Sequence, residues 1–454
     1  MKRNWLIWLW VIALLLSGCG KSAPSDEPQA TPNDYYTAGF GAVEIELPTD
    51  SDQPLYIAGY HQGWEITGVL DLQRANALWL DNGGTSLLLI AIDCIGLDSH
   101  TVGEIRNRLS DFCHETGCDS VNVIASHTHA GVDTLGLWGP MARDGKNDAF
   151  MENLKEAAVR AAYLAYEDRE AGTLAYRATE VEGLQEDSRA PHVYDNHLYQ
   201  LYFTPDDPEQ NGIRILSFAA HAEALRGDNT LVSRDYPGSM ADTIYECTGD
   251  DVLFLPGAVG GLIMTPELYE NPFLPIPNMT HTGKQLAMAA LSEGEFQTLD
   301  TAMDWSQVRF STPLDNTAFI YYRFLGILKN DVQYTIGKGY LLHSEVTAIR
   351  LGNVTLALMP GEVFPELISG TGNNQDPTPY ADIAAQHGQE NVVFVGLAND
   401  ELGYIIPPSD YVLAEDAPYF KEAEGDHYEE TNSVGIDCAA DLADALDEAL
   451  SKLQ

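Results

Sequence analysis

Six consecutive residues, Ser126-His127-Thr128-His129-Ala130-Gly131, place two imidazoles one residue apart. They follow an apolar run, Val121-Asn122-Val123-Ile124-Ala125, that reads as a short buried strand. Alternate residues of a strand share a face. His127 and His129 are therefore expected to project to one side, where the strand gives way to a glycine-containing loop. Two such imidazoles can share a metal ion, or one can ligate while the other moves protons. Ordinary loop histidines show the same spacing, so the pair needs partners elsewhere in the chain.

Partners of suitable chemistry stand after two other apolar runs. Gly212-Ile213-Arg214-Ile215-Leu216-Ser217-Phe218 leads into Ala219-Ala220-His221, and Val354 to Leu358 leads into Met359-Pro360-Gly361-Glu362. Ligand sites of α/β proteins collect at strand ends. Two histidines and a carboxylate are a common catalytic zinc set that leaves a position for water, and bound water ionises near neutral pH. A later tyrosine would complete the set. Asp93, ending another apolar run, either orients a ligand histidine or makes a structural hydrogen bond.

The elements that must position these residues alternate in type. Strands are expected at Gly39 to Ile45, Leu174 to Val181, Asp251 to Leu255 and Asn391 to Val395. Ala75 to Asp81 and Thr85 to Asp93 flank Asn82-Gly83-Gly84, a hairpin signal, and Val346 to Leu351 pairs with Val354 to Leu358 across Gly352-Asn353. Apolar residues at helical spacing predict helices over Thr101 to Cys113, Phe150 to Tyr166, Thr282 to Leu291 and Cys438 to Leu453. Hairpins mixed with crossover helices predict a layered α/β fold with mixed β-sheets and flanking helices.

The chain has 454 residues, with 24 Lys and Arg against 68 Asp and Glu, a net charge of −44. Such acidity argues against nucleic-acid binding, which needs clustered cations, and fits a well-solvated surface. Lys2 and Arg3 precede an apolar run from Trp5 to Leu16 and the box Leu16-Ser17-Gly18-Cys19. Residues 1–18 therefore read as a bacterial lipoprotein signal peptide cleaved before Cys19, whose thiol would carry lipid. Residues 19–35, rich in Pro and Ser, read as the lipidated cysteine and a flexible tether. A single domain is expected over 36–454, held at the bacterial cell envelope, outside the cytoplasm, through lipid on Cys19. Of the other cysteines, Cys113 and Cys118 could pair, and Cys94 reads as a buried thiol.

Read in order, the chain resembles the neutral or alkaline (non-lysosomal) ceramidases, in their N-terminal catalytic domain, from about Gly39 to Gly435. The resemblance is carried by Ile57-Ala58-Gly59-Tyr60, the His127 and His129 segment, Ser188-Arg189-Ala190-Pro191 and Phe218-Ala219-Ala220-His221. It continues through Ser233 to Gly238, Pro360-Gly361-Glu362, Asn399 through Gly403-Tyr404-Ile405 to Tyr411, and His427-Tyr428-Glu429-Glu430-Thr431. The resemblance implies zinc-dependent hydrolysis of the amide of an N-acyl sphingoid base. It implies zinc on His127, His221, Glu362 and Tyr404, proton shuttling by His129, substrate binding or polarisation by Arg189, and a hydrogen bond from Tyr428 to the developing oxyanion.

The resemblance has gaps. The family's Gly-Asp-Val-Ser-Pro segment corresponds to Gly257-Ala258-Val259-Gly260-Gly261, and Thr265 could replace its serine only if the alignment slips. The family's Ser-Gly-Pro after the second histidine becomes Ala130-Gly131-Val132. The family's C-terminal β-sandwich is expected to be absent. Two functions are open: a zinc-dependent amidohydrolase acting on ceramide-like lipid or another N-acyl amide, and a non-catalytic lipoprotein binding lipid or glycan on the same scaffold.

Overall fold

The computed structural model describes residues 32–49, 51–263, 275–425 and 427–453. The expected signal peptide, Cys19, most of the tether and Thr265 lie outside them. Pro32–Gln454 is one compact unit, and no described helix is long and apolar enough to cross a membrane.

Two mixed sheets pack face to face. The larger has nine strands. Eight run in the spatial order β8-β7-β6-β5-β1-β2-β3-β4. These are β1 (Tyr36–Glu44), β2 (Arg74–Asp81), β3 (Ser86–Ile92), β4 (Ser120–Ala125), β5 (Glu170–Glu180), β6 (His197–Pro205), β7 (Ile213–Phe218) and β8 (Asp251–Pro256). The ninth, Gln297–Thr298, pairs with β5. The second sheet has five strands: β9 (Met303–Pro313), β10 (Val332–Thr335), β11 (Gly339–Leu351), β12 (Val354–Leu358) and β14 (Asn391–Val395). Leu78, Leu89, Ile215 and Leu253 from the first meet Ile349, Leu356 and Val393 from the second in one buried cluster. Helices cover both outer faces. This is the layered mixed-sheet α/β architecture that the alternation of elements predicts.

Local sequence explains the closest contacts. The long helix Asp148–Glu167 starts at Asn147, whose side chain accepts a hydrogen bond from the Phe150 amide. It lays Ala157, Ala158, Ala161, Ala162 and Ala165 on the larger sheet. The opposing strand β1 carries Gly39 and Gly41, where an added Cβ would lie 2.3 Å from helix carbonyl oxygens. Small residues on both surfaces thus set the distance between layers. The helix expected over Thr101 to Cys113 is two, Ser99–Arg108 and Ser110–Thr116, meeting at Leu109. Cys113 and Cys118 are free thiols, and Cys94 is a buried one.

Within the two large sheets, three pairs of described strands are parallel: β3 with β4, β7 with β8, and β12 with β14. Parallel neighbours need a crossover, and here each pair encloses helix. His127 follows β4, His221 follows β7 and Glu362 follows β12. The exits of β4 and β14 are stitched together across the two sheets: the Asn399 amide donates to the Val123 carbonyl at 2.7 Å and the Ala125 amide to the Leu397 carbonyl at 3.1 Å. The ends of all three units therefore converge.

Candidate metal centre

The two histidines of the first motif do converge, but not by strand alternation. β4 stops at Ala125, and His127 takes the left-handed backbone conformation, φ 64°, which costs a non-glycine residue about 1 kcal/mol or more. That turn brings the rings of His127 and His129 to a centroid separation of 4.8 Å, nearly perpendicular. His129 is held by its amide, which donates to the Ala222 carbonyl at 2.9 Å. The same short bridge places His221 opposite the pair.

Glu362 and Tyr404 arrive together. Residues Glu362–Val363 (β13) pair in parallel with Tyr404–Ile405 (β15), with Glu362 directly opposite Tyr404. Two residues of ladder thus fix a carboxylate and a phenol side by side.

The donor atoms form one cluster. Glu362 Oε2 lies 2.9 Å from His221 Nε2 and 3.2 Å from His127 Nε2. Tyr404 Oη is 3.4 Å from His221 Nε2. Donors about 2.0–2.1 Å from a tetrahedral ion stand about 3.3 Å apart, so these spacings fit one ion between them. The tautomers fit as well. Nδ1 of His127 donates to the Ile95 carbonyl at 2.7 Å and Nδ1 of His221 to the Leu262 carbonyl at 2.8 Å, which leaves each Nε2 lone pair facing inward. Burial raises the Glu362 carboxyl pKa, but the neighbouring His127 and His221 outweigh it and hold the group well below the usual range. Burial lowers His221, yet Glu362 lifts it to about 9. The cluster demands a positive charge at its centre, which a metal cation supplies as well as a proton does.

His127, His129 and His221 also lie with ligand atoms within 4.8 Å of one another, so His129 is a possible ligand. Its surroundings differ from those of the other two. His129 Nε2 is 3.3 Å from His127 Nε2, while its buried Nδ1 has no hydrogen-bond partner among the described residues. Without a carbonyl to fix its ring, it suits proton transfer better than ligation. Burial, then His127 and His221, push its pKa well below the ordinary value.

Tyr428 stands beside Tyr404, hydroxyl to hydroxyl at 2.8 Å, and lines the cavity. Arg189 does not line it. Its guanidinium donates to Asp410 Oδ2 at 2.7 Å, Glu429 Oε2 at 3.1 Å and Glu430 Oε2 at 3.2 Å, and its side chain is almost wholly buried. The acidic residues after Tyr428 are likewise buried. Asp93 bonds to the Arg74 amide at 3.0 Å rather than to a metal-site histidine; burial raises its pKa to about 6.

Sequence reasoning passed over Glu401. It lines the cavity beside Glu362, one oxygen accepting the Gly403 amide at 2.8 Å and the other buried without a hydrogen-bond partner among the described residues. Burial and the nearby Glu362 push its pKa well up. Nothing in the local sequence marks it, since its position follows from the turn before Tyr404. The missing serine segment has a steric explanation: at Gly260 an added Cβ would meet the Phe364 ring at 2.4 Å.

The cavity over the cluster holds about 1700 Å³. Its lining includes the apolar Leu135, Leu314, Phe319, Tyr322 and Leu342 and the polar Glu223, Asp228 and Asn229.

Two solved structures share this architecture over 92% of the chain, each with a TM-score of 0.69. One, described as a ceramidase complexed with C2, is 16% identical and is covered to 75% of its length. The other, a neutral ceramidase from Pseudomonas aeruginosa, is 15% identical and is covered to 74%. The chain has the ceramidase fold. Neither a family model nor a curated protein matches its sequence, so three-dimensional structure carries a likeness that ordinary sequence comparison does not reach.

Proposed function

We propose that this chain is a zinc-dependent amidohydrolase acting on an N-acyl substrate, of the kind that ceramide represents, and that it belongs with the ceramidases. The supporting observation is the Glu362 carboxylate shared between His127 Nε2 and His221 Nε2, with Tyr404 alongside, at the floor of a large and partly apolar cavity. His127, His221, Glu362 and Tyr404 would hold the ion. When bound, zinc supplies a water that ionises near neutral pH and polarises a carbonyl. His129, lacking a fixed partner at Nδ1, takes up a proton and returns it to the leaving amine. The Tyr428 hydroxyl donates to the carbonyl oxygen as negative charge develops there. Arg189 acts as a positioning residue: its bonds to Glu429 and Glu430 hold the segment that begins with Tyr428. The apolar lining takes the acyl chain. The N-terminal cysteine box supports lipid anchoring at a bacterial envelope. The closed packing at Gly260, where an added Cβ would meet the Phe364 ring, favours a second reading, a lipid-binding protein without turnover.

The test is metal content of the purified 32–454 unit and of its Glu362→Ala variant, followed by hydrolysis of N-acyl amides with ceramides first. About one zinc per chain, lost in the variant together with hydrolysis, supports the enzyme. Failure to take up zinc refutes it and favours the binding reading.

A further inference from the structure

The helix Thr317–Phe324 has two apolar faces. Ala318, Phe319 and Tyr322 line the cavity. On the outer side Tyr321 is 48% exposed, Phe324 73% and the following Leu325 44%, at the i, i+3, i+4 spacing of one helical stripe. The hairpin of β10 and β11 extends this surface. Tyr340 lies 6.2 Å from Phe324 and 5.1 Å from Tyr334, ring centre to ring centre. At the hairpin tip Tyr334 is 65% exposed and Ile336 93%. A contiguous apolar surface of this kind on a soluble unit marks an interaction site.

Charge identifies the occupant. From Asn316 to Ser344 the chain carries Arg323, Lys329 and Lys338 against Asp331 alone, within a protein of net charge −44. Arg309 faces Asp331 at 3.8 Å and offsets that one acid, while Lys329 and Lys338 are exposed. Exposed aromatics and an isoleucine flanked by lysines suit an anionic bilayer, where rings and aliphatic chains enter the interface and ammonium groups meet headgroups. We propose that the helix Thr317–Phe324 and the β10–β11 hairpin tip dock on an anionic lipid surface. On the hydrolase reading above, docking would place the cavity wall against the reservoir of acyl substrate; the docking itself stands without that reading.

The test is co-sedimentation of the 32–454 unit with phosphatidylglycerol vesicles and with phosphatidylcholine vesicles. The wild-type unit is expected to favour phosphatidylglycerol, with binding weakened by salt. The double variant Phe324→Asp, Ile336→Asp is expected to lose roughly tenfold in vesicle affinity, and Lys329→Glu, Lys338→Glu to lose the preference for phosphatidylglycerol. Unchanged melting temperature and zinc content would show that both variants fold. Wild type binding neither vesicle, or the double variant binding as wild type does, overturns the proposal. So does self-association that the double variant abolishes, which assigns the surface to a second copy. An inactive protein that still binds vesicles would refute the hydrolase reading and leave docking intact.

Discussion

Gly403 sits at the joint of the metal centre, and replacing it with alanine should damage the site more than the fold. Its φ is +72°, and an added Cβ would lie 1.8 Å from the Asn432 carbonyl oxygen. Ordinary contact begins near 3.4 Å, so roughly 1.5 Å of movement is required. A left-handed alanine costs about 1–2 kcal/mol and overpacking about 1–3 kcal/mol, for a loss on the order of 2–5 kcal/mol. The displacement must fall on Tyr404, which follows directly, or on the segment around Asn432, which carries Tyr428. Either way the 2.8 Å contact between the two hydroxyls opens. Misplacing catalytic groups by about 1 Å can cost about a hundredfold in rate. Thermal denaturation, zinc affinity by chelator competition and kcat/KM on an N-acyl amide would report the three effects. Expected are a melting point lowered by several degrees, weaker zinc binding and a rate down about a hundredfold. A variant with wild-type zinc affinity and turnover would refute the reasoning, because the clasp between Glu362 and Tyr404 would then not depend on this close approach.

Two other substitutions probe the surroundings. Arg189→Met takes the guanidinium from buried Glu429 and Glu430, leaving Glu430 only the Val412 amide and His427, so a loss of about 3–5 kcal/mol is expected. Glu429 is raised by burial to about 7 with the guanidinium present, and removing that cation raises it further; the defect in melting temperature should therefore shrink at pH 5, where the carboxyl is protonated. Equal melting curves at pH 8 would show that the guanidinium does not hold this segment. Glu366 is pushed by burial, with Asp187 and Asp410 adding to the shift, to about 8 from an ordinary 4.5. A folded-state pKa raised in this way gives stability that is full below the unfolded value and lost as pH rises through the folded one. Over pH 4.5 to 8 this residue should erode stability by on the order of 3–5 kcal/mol. Glu366→Gln is expected to flatten that slope and raise the melting temperature at pH 8.5; chemical denaturation across the window decides it.

Periodicity made the parts of the fold legible. The strand before His127, the Asn82-Gly83 hairpin and the alanine-rich helix were readable because burial and turn chemistry act locally there. β6 and β9 were not, since Tyr, Gln and Thr on their half-buried faces blur the alternation. The convergence of His127 and His221 was foreseeable only as two strand ends. What joins them is a left-handed turn at His127 and a single parallel bridge between Thr128 and Ala222, neither of which leaves a periodic trace. Arg189 misled for a related reason. Its burial depends on Asp410, Glu429 and Glu430, more than 200 residues away in the chain, and nothing near Arg189 in the sequence marks that contact.

The two-residue ladder between Glu362 and Tyr404 also orders events in time. A growing chain that has passed His127 and His221 holds imidazoles but neither the carboxylate nor the phenol. The clasp needs Tyr404, and Gly403 beside it bridges to Ser433, so this corner is complete only after both have been synthesised. A transition metal met earlier would find two mobile nitrogens and be held weakly. On the metal-enzyme reading, the folded protein and not the growing chain would select the ion.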